Sequence, residues 1–365
     1  MRETPPSMIE VQLFEAARTG DVPQMQLLLA SHPGKLEARE EPYEWTLLHA
    51  AAHAGRLTVV NLLLERGLDV NAREKGDNTC AVHWAAAAGH LEVVRRLADA
   101  GGDVIGRGDD HELEVIGWTT CWDGCDDDAH RAVADFLINR GAHHHIFSAI
   151  AMNLADELLG LVAADASALM KPMSRNEAHQ LPLHFAVRMH RPRMVSLLLE
   201  LGADPLAKDG SGYTPAAYAT APDIDRPVLT MICERGAMDL VTALGLSDWD
   251  AAAKLLRESA DKIEAGGANA GALHLMAKRN HLEAVTWLLD HGADPNARWN
   301  HWGGDVTALH LAVLHGHTEV VRVLLEAGAD PKIRDTMHNA TAMEWAEHVG
   351  RAEIAAILEA HPAGP

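Results

Sequence analysis

Small and aliphatic residues recur along this 365-residue chain in blocks of one layout. In each block a histidine is followed by small residues (Ala50, Ala51 and Ala52; Ala85 and Ala86; Ala312) and, six positions on, by a glycine (Gly55, Gly89, Gly316). An aliphatic trio then falls at plus thirteen to fifteen, as in Leu62-Leu63-Leu64, Leu197-Leu198-Leu199 and Val323-Leu324-Leu325. The strongest copies keep one ruler: His49, His83, His184, His274 and His310 each precede a glycine (Gly67, Gly101, Gly202, Gly292, Gly328) by eighteen residues. The alanine-rich stretch predicts a short helix that a neighbour can approach closely. The glycine tolerates the positive φ of a helix end, and the aliphatic trio is the buried stripe of a second, longer helix. Each block is a predicted helical hairpin. A unit in the low thirties of residues cannot bury its own apolar face and must stack on its neighbours, so the expected fold is an all-α solenoid.

The openings Thr46-Leu47-Leu48-His49, Leu181-Pro182-Leu183-His184 and Thr307-Ala308-Leu309-His310 resemble the T-P-L-H opening of the ankyrin repeat. The closings Gly202-Ala203-Asp204-Pro205, Gly292-Ala293-Asp294-Pro295-Asn296-Ala297 and Gly328-Ala329-Asp330-Pro331 resemble its G-A-D-x-N-A end. Degenerate copies fill the gaps from Phe14 to Leu29, at Thr214-Pro215, and from Thr341 to Leu358, where Glu344 takes the histidine position. At about thirty-three residues per unit this predicts an ankyrin-repeat solenoid of roughly eleven helix-turn-helix units with hairpin fingers, a single curved stack. The expected layout is one domain over 1–365 with an N-terminal cap at 8–41, regular repeats at 42–105, atypical repeats at 106–180, repeats at 181–336 and a C-terminal cap at 337–361. The resemblance also implies that the repeated histidines bridge the turns of adjacent units and belong to the scaffold.

A formal net charge of -21 repels phosphate backbones, and no Lys/Arg cluster is dense enough for nucleic acid or an anionic membrane surface. No apolar run approaches the length of a bilayer span and no leader pattern follows Met1, so the expected home is the cytoplasm. Cys80, Cys121, Cys125 and Cys233 are too few and too scattered for a disulfide framework, and reduced thiols are expected.

The pattern breaks in the middle. Aligned on Thr120-Cys121-Trp122-Asp123, the fourth unit puts Asp123 at the histidine place, forty residues after His83, with residues 106–114 as an extended finger. The next two fingers then carry His143, His144 and His145, and Ser174 to His179. If the stack is regular, these three fingers converge on one patch. Near the C-terminus, Trp299, His301 and Trp302 lie on a finger lengthened by two residues, where indoles on a solvated loop suggest an anchor for a partner.

Two functions compete. The first is a non-enzymatic scaffold that binds another protein, one with a basic surface, on the concave face built from fingers and short helices, with Trp118, Trp122, Trp299, His301 and Trp302 as contacts and no cofactor. The second is a metal-dependent enzyme or small-ligand binder with a pocket around 106–180. There His111, Glu112, His143 and His145 would hold zinc or iron, and Asp123, Glu177 and His179 would do acid–base work. Against the second stand the missing H-E-x-x-H spacing, the absence of a G-x-S-x-G nucleophile, and a fold family whose expected role is not catalysis. The run Asp126 to Asp128 lacks the ligand spacing of a calcium loop and reads as a helix-capping turn.

Overall fold

The computed structural model describes residues 7–122, 124–220, 225–235, 238–258, 271–301 and 304–361. The chain divides into two compact units, Met1–Ala168 and Leu169–Pro365.

In the first unit the helices come in pairs: α1 (Met8–Thr19) with α2 (Val22–Ser31), α3 (Leu47–His53) with α4 (Leu57–Glu65), α5 (Ala81–Ala87) with α6 (Leu91–Asp99), α7 (Glu114–Trp118) with α8 (Asp128–Asn139), and α9 (Ile146–Ala151) with α10 (Ala155–Ala164). Like packs on like: α1, α3, α5, α7 and α9 form one layer in that order, and α2, α4, α6 and α8 form the other. The second unit repeats the scheme. Its pairs are α11 (Pro182–Arg188) with α12 (Pro192–Glu200), α13 (Pro215–Ala219) with α14 (Arg226–Cys233), α15 (Leu240–Gly245) with α16 (Trp249–Glu258), α17 (Ala272–Lys278) with α18 (Leu282–Asp290), α19 (Ala308–His315) with α20 (Thr318–Glu326), and α21 (Ala342–His348) with α22 (Ala352–Ala360). Each unit is thus a two-layer stack of hairpins, the all-α solenoid that the repeat pattern predicts, and the described residues hold eleven such pairs.

The aliphatic stripe does the burying. Val59, Val60 and Leu63 of α4 and Val94 and Leu97 of α6 are completely buried between the layers, each side chain contributing about 1.5–3 kcal/mol relative to exposure. The alanines of the first helices (Ala51, Ala52, Ala85, Ala86) are also fully buried, because their small side chains let adjacent hairpins close up.

The repeated histidine begins the short helix and ties it to the next finger. In α3, Thr46 N–H donates to His49 Nδ1 (3.3 Å) while His49 N–H donates to Thr46 Oγ1 (3.3 Å), a reciprocal cap with imidazole in the place of a carboxylate. With Nδ1 accepting, the proton sits on Nε2, which donates to Thr79 O of the following finger at 3.1 Å. His83 reaches Gly106 O (3.0 Å), His184 Tyr213 O (2.9 Å), His274 Ala297 O (3.0 Å) and His310 Ala340 O (3.2 Å) in the same way. All five imidazoles make the bridge, and His49, His83 and His310 also accept the N-cap N–H at Nδ1. Glu344 of α21 performs the capping half alone, accepting Thr341 N–H at 2.7 Å; a carboxylate has no proton to pass onward.

The fingers are stitched by arginine and asparagine. Arg39 Nη1 donates to Arg73 O (2.8 Å), and Arg73 Nη2 donates to Arg107 O (2.6 Å). Asn71 donates to Gly101 O (3.0 Å) and accepts from Asp103 N–H (2.8 Å), and Asn296 does the same with Gly328 O and Asp330 N–H. Short antiparallel pairs complete two fingers: β1 (Arg39–Glu40) with β2 (Trp45–Thr46), and β3 (Trp299–His301) with β4 (Gly304–Val306).

The fourth hairpin departs from the sequence expectation. Helix α7 starts at Glu114 and places Ile116 at its third position, where His83 stands in α5. The repeat therefore keeps its length here, 33 residues from His83 to Ile116, and residues 106–114 are no extension. The extra length is the turn between α7 and α8, residues 119–127, where α3–α4 and α5–α6 are joined by three residues each. The physical reason is burial. Val115, Ile116 and Trp118 are at most 3% exposed, so their apolar surface, and not the T-P-L-H-like spelling of Thr120-Cys121-Trp122, decides where the helix lies. Asp123, expected at the histidine place, lies outside the described residues. The link from α8 to α9 is only residues 140–145, with no hairpin finger, so the three-histidine run leads straight into α9.

Candidate protein-interaction face of the first unit

Four indoles follow one another along the first-helix layer: Trp45 just before α3, Trp84 in α5, Trp118 at the end of α7 and Trp122 in the turn beyond it. Their ring centroids are 4.6 Å (Trp45–Trp84), 5.2 Å (Trp84–Trp118) and 5.5 Å (Trp118–Trp122) apart. Two histidines fill the flanks edge-on. His53 lies 5.6 Å from Trp45 and 5.5 Å from Trp84, and His111 lies 5.4 Å from Trp118 and 5.1 Å from Trp122. Trp45, Trp84 and Trp122 are half-buried and His53 is exposed, so the ladder keeps an open side. Burial, with His90 and Arg18 nearby, holds the His53 pKa below the ordinary imidazole value.

Trp118 does not have the role expected for it. It is 3% exposed, and its Nε1 donates to Asp109 Oδ1 at 3.1 Å. Asp109, itself buried, also accepts the N–H groups of His111 (3.1 Å), Leu113 (3.2 Å) and Glu114 (2.9 Å). Trp118 is thus a staple between finger and helix and not a partner contact. The second unit uses the same device twice, Tyr218 donating to Asp209 (2.5 Å) and Trp345 to Asp335 (3.0 Å). The repeat pattern does not mark Trp45 and Trp84: Trp84 and Trp118 are 34 residues apart, one more than His83 and Ile116, and Trp45 stands 39 residues before Trp84.

The alternative metal set is not assembled. His111 Nε2 lies 3.2 Å from Asp77 Oδ1, with its ring against the ladder. His145 is the N-cap of α9: its Nδ1 accepts Ser148 N–H (3.2 Å) and its Nε2 donates to Leu113 O (2.9 Å), which engages both nitrogens. Glu112 and His143 are exposed. Among the described residues no three His, Cys, Asp or Glu side chains are placed to hold a metal ion. Glu177 and His179 belong to a finger of the second unit. There Glu177 accepts from Ser174 Oγ at 2.6 Å and His179 Nδ1 lies 3.2 Å from Met173 O, contacts that close the loop on itself.

Trp299 also corrects an expectation. Its indole is half-buried over Gly271, where a Cβ would come within 2.5 Å of Cε2, and it faces Tyr213 and His274 at 6.5 and 6.4 Å. It packs the base of its finger and is not displayed on a solvated loop, because the apolar ring gains more against the first helices than in water. His301 is described in its backbone alone, paired with Gly304, and Trp302 lies outside the described residues.

The charge of the face is one-sided. Segments 37–46, 69–79 and 103–114, the three fingers of the first unit that flank the ladder, carry twelve acidic residues against Arg39, Arg73, Lys75 and Arg107. All four cations are already engaged: Arg39 and Arg73 on backbone carbonyls, Lys75 with Glu44, and Arg107 with Glu114 at 3.1 Å. Asp110 and Glu112 remain exposed beside the ladder and Glu41 on the first finger. Among the described residues no helix is long and apolar enough to cross a membrane.

Comparisons with known proteins follow this architecture. A family model described as "Ankyrin repeats (3 copies)" matches residues 13–107, 223–335 and 273–362, and one described as "Ankyrin repeats (many copies)" matches 168–219. NF-kappa-B inhibitor alpha of Sus scrofa is 32% identical over 124 residues, 34% of each chain. The 2-5A-dependent ribonuclease of Mus musculus is 43% identical over 63 residues, 17% of this chain and 8% of that protein. The solved human ASB11 ankyrin repeat domain has a TM-score of 0.42 at 20% identity, covering 64% of this chain and 98% of that one. The matches to these curated relatives span 34% and 8% of the relatives' own length. Ankyrin repeats generally mediate protein–protein interaction. With the three-copy family model alone matching more than half of its residues, this chain belongs to the ankyrin repeat family.

Proposed function

We propose that the chain is a protein-interaction scaffold whose first unit binds a partner with a basic surface, using the fingers and short helices that flank the indole ladder. The observation that carries this reading is the pairing of acidic fingers, whose own cations are all engaged, with a row of half-buried indoles. Carboxylates steer a basic partner into place and exclude acidic ones; aromatic rings supply contact area at low entropic cost. The stacked hairpins present this surface preformed, so little order has to be gained on binding.

The test compares two triple variants of the full chain with equal charge change. Glu41→Gln, Asp110→Asn and Glu112→Gln sit on the fingers, whereas Glu65→Gln, Glu92→Gln and Asp135→Asn sit on the second helices, and all six side chains are exposed. Titrated with a lysine-rich dodecapeptide at low salt, the finger variant is expected to bind about ten-fold more weakly and the helix variant to stay within about two-fold of the parent. Equal losses in the two variants would reduce the effect to net charge and remove the face from the account.

A further inference from the structure

We infer that Trp45, His53 and Trp84 form a trough for the guanidinium of an arginine carried on an extended segment of the partner. This rests on the reading that the acidic finger face of the first unit is the binding surface, and it names the side chain that the face is built to seat.

The three rings make a compact aromatic group. The indoles of Trp45 and Trp84 are inclined to one another by 54° at 4.6 Å, and His53 stands at 76° and 86° to them. The group is partly open to solvent, in contrast to Trp118, which Asp109 pins inside. A half-open pair of indoles has two ways to gain by binding, apolar cover or a cation on the π face. Charge decides between them. The fingers on either side are rich in carboxylates, Asp77 lies against the next imidazole of the ladder, and the nearby Arg18 is already paired with Glu40. Burial first, and then His90 and Arg18, lower the His53 pKa, so the ring itself adds no charge near pH 7. An arginine fits better than a lysine, since a planar, weakly hydrated guanidinium lies flat on an indole and can still give its edge N–H groups to a flanking carboxylate.

The test uses the full chain and two pentapeptides, acetyl-Gly-Gly-Arg-Gly-Gly-amide and its citrulline twin, which has the same shape but no charge. Indole Nε1–H resonances report on the trough directly. The expected result is a saturable shift of the Trp45 and Trp84 signals with the arginine peptide and about ten-fold weaker binding of the citrulline peptide. Trp84→Leu should weaken the arginine peptide about ten-fold, and Trp84→Phe, which keeps a ring and the packing, should weaken it less. Equal binding of the two peptides to the parent chain overturns the inference whether or not any variant folds, and so do unmoved Trp45 and Trp84 signals. The lysine-rich dodecapeptide separates the two ideas. If it binds with salt dependence while the arginine peptide leaves the Trp45 and Trp84 signals unmoved, the acidic face stands and the trough falls. If the arginine peptide moves the indoles while the finger variant binds the dodecapeptide normally, the trough stands without the wider face.

Discussion

Acid should loosen this stack through its bridging histidines, and His49 allows the size of the effect to be worked out. The ring is 1% exposed and burial pulls its pKa down from 6.5 to about 4, against the smaller opposing pull of the hydrogen bond to Thr79 O. The folded pKa is depressed, so the unfolded chain binds the proton first. The stabilising contribution is fully present above about pH 6.5 and is lost as pH falls toward 4. A shift of this size amounts to about 3 kcal/mol in all, of which about 2 kcal/mol disappears between pH 7 and pH 5. His83, His184 and His310 are displaced in the same direction by burial, so both units share the weakness. The assay is a long-range proton–nitrogen NMR titration of the His49 ring beside urea unfolding at pH 7 and pH 5. His49 should remain neutral at pH 5, with Nδ1 bare and the proton on Nε2. His49→Gln, which cannot titrate, should show a pH dependence of stability smaller by about 2 kcal/mol. A ring that titrates near 6.5, or that carries its neutral proton on Nδ1, would refute the bridging geometry.

Two further outcomes follow from packing. Asp109→Ala removes the acceptor of three loop N–H groups and of the Trp118 indole. It should cost at least about 2 kcal/mol in urea unfolding and shift Trp118 emission to the red; a change under about 0.5 kcal/mol would mean that the staple holds nothing. Glycine position matters in two different ways. Gly67 (φ +88) has open space where a Cβ would go, whereas at Gly106 (φ +70) a Cβ would stand 2.5 Å from the His83 ring and 2.6 Å from Val115. Gly67→Ala should therefore cost only the backbone strain of about 1–2 kcal/mol, and Gly106→Ala about 3 kcal/mol or more. Equal losses on thermal or urea unfolding would contradict the close finger–helix contact.

The hairpins were legible because each is written by short-range rules: alanine where helices touch, a glycine where the chain turns, and leucine or valine where layers meet. The histidine bridge was legible from its period. The site was harder. Register in the fourth hairpin depends on which apolar residues are buried, and Ile116 and Trp118 outweigh a motif-like spelling that falls in a turn. A tryptophan on paper does not reveal whether its N–H will find a carboxylate. Trp118 finds Asp109 and turns inward, while Trp45 and Trp84 stay half open. The histidine run at 143–145 looked like a ligand set because composition does not show that His145 is consumed as a helix cap.

Amide hydrogen exchange of the full chain, with and without the lysine-rich dodecapeptide, tests the binding face most directly. Added protection should fall on residues 37–46, 69–79 and 103–114 and on the short helix α5, and should fade as salt is raised. Protection centred on α4, α6 and α8, or binding that ignores salt, would contradict the assignment of the acidic finger face as the surface that meets the partner.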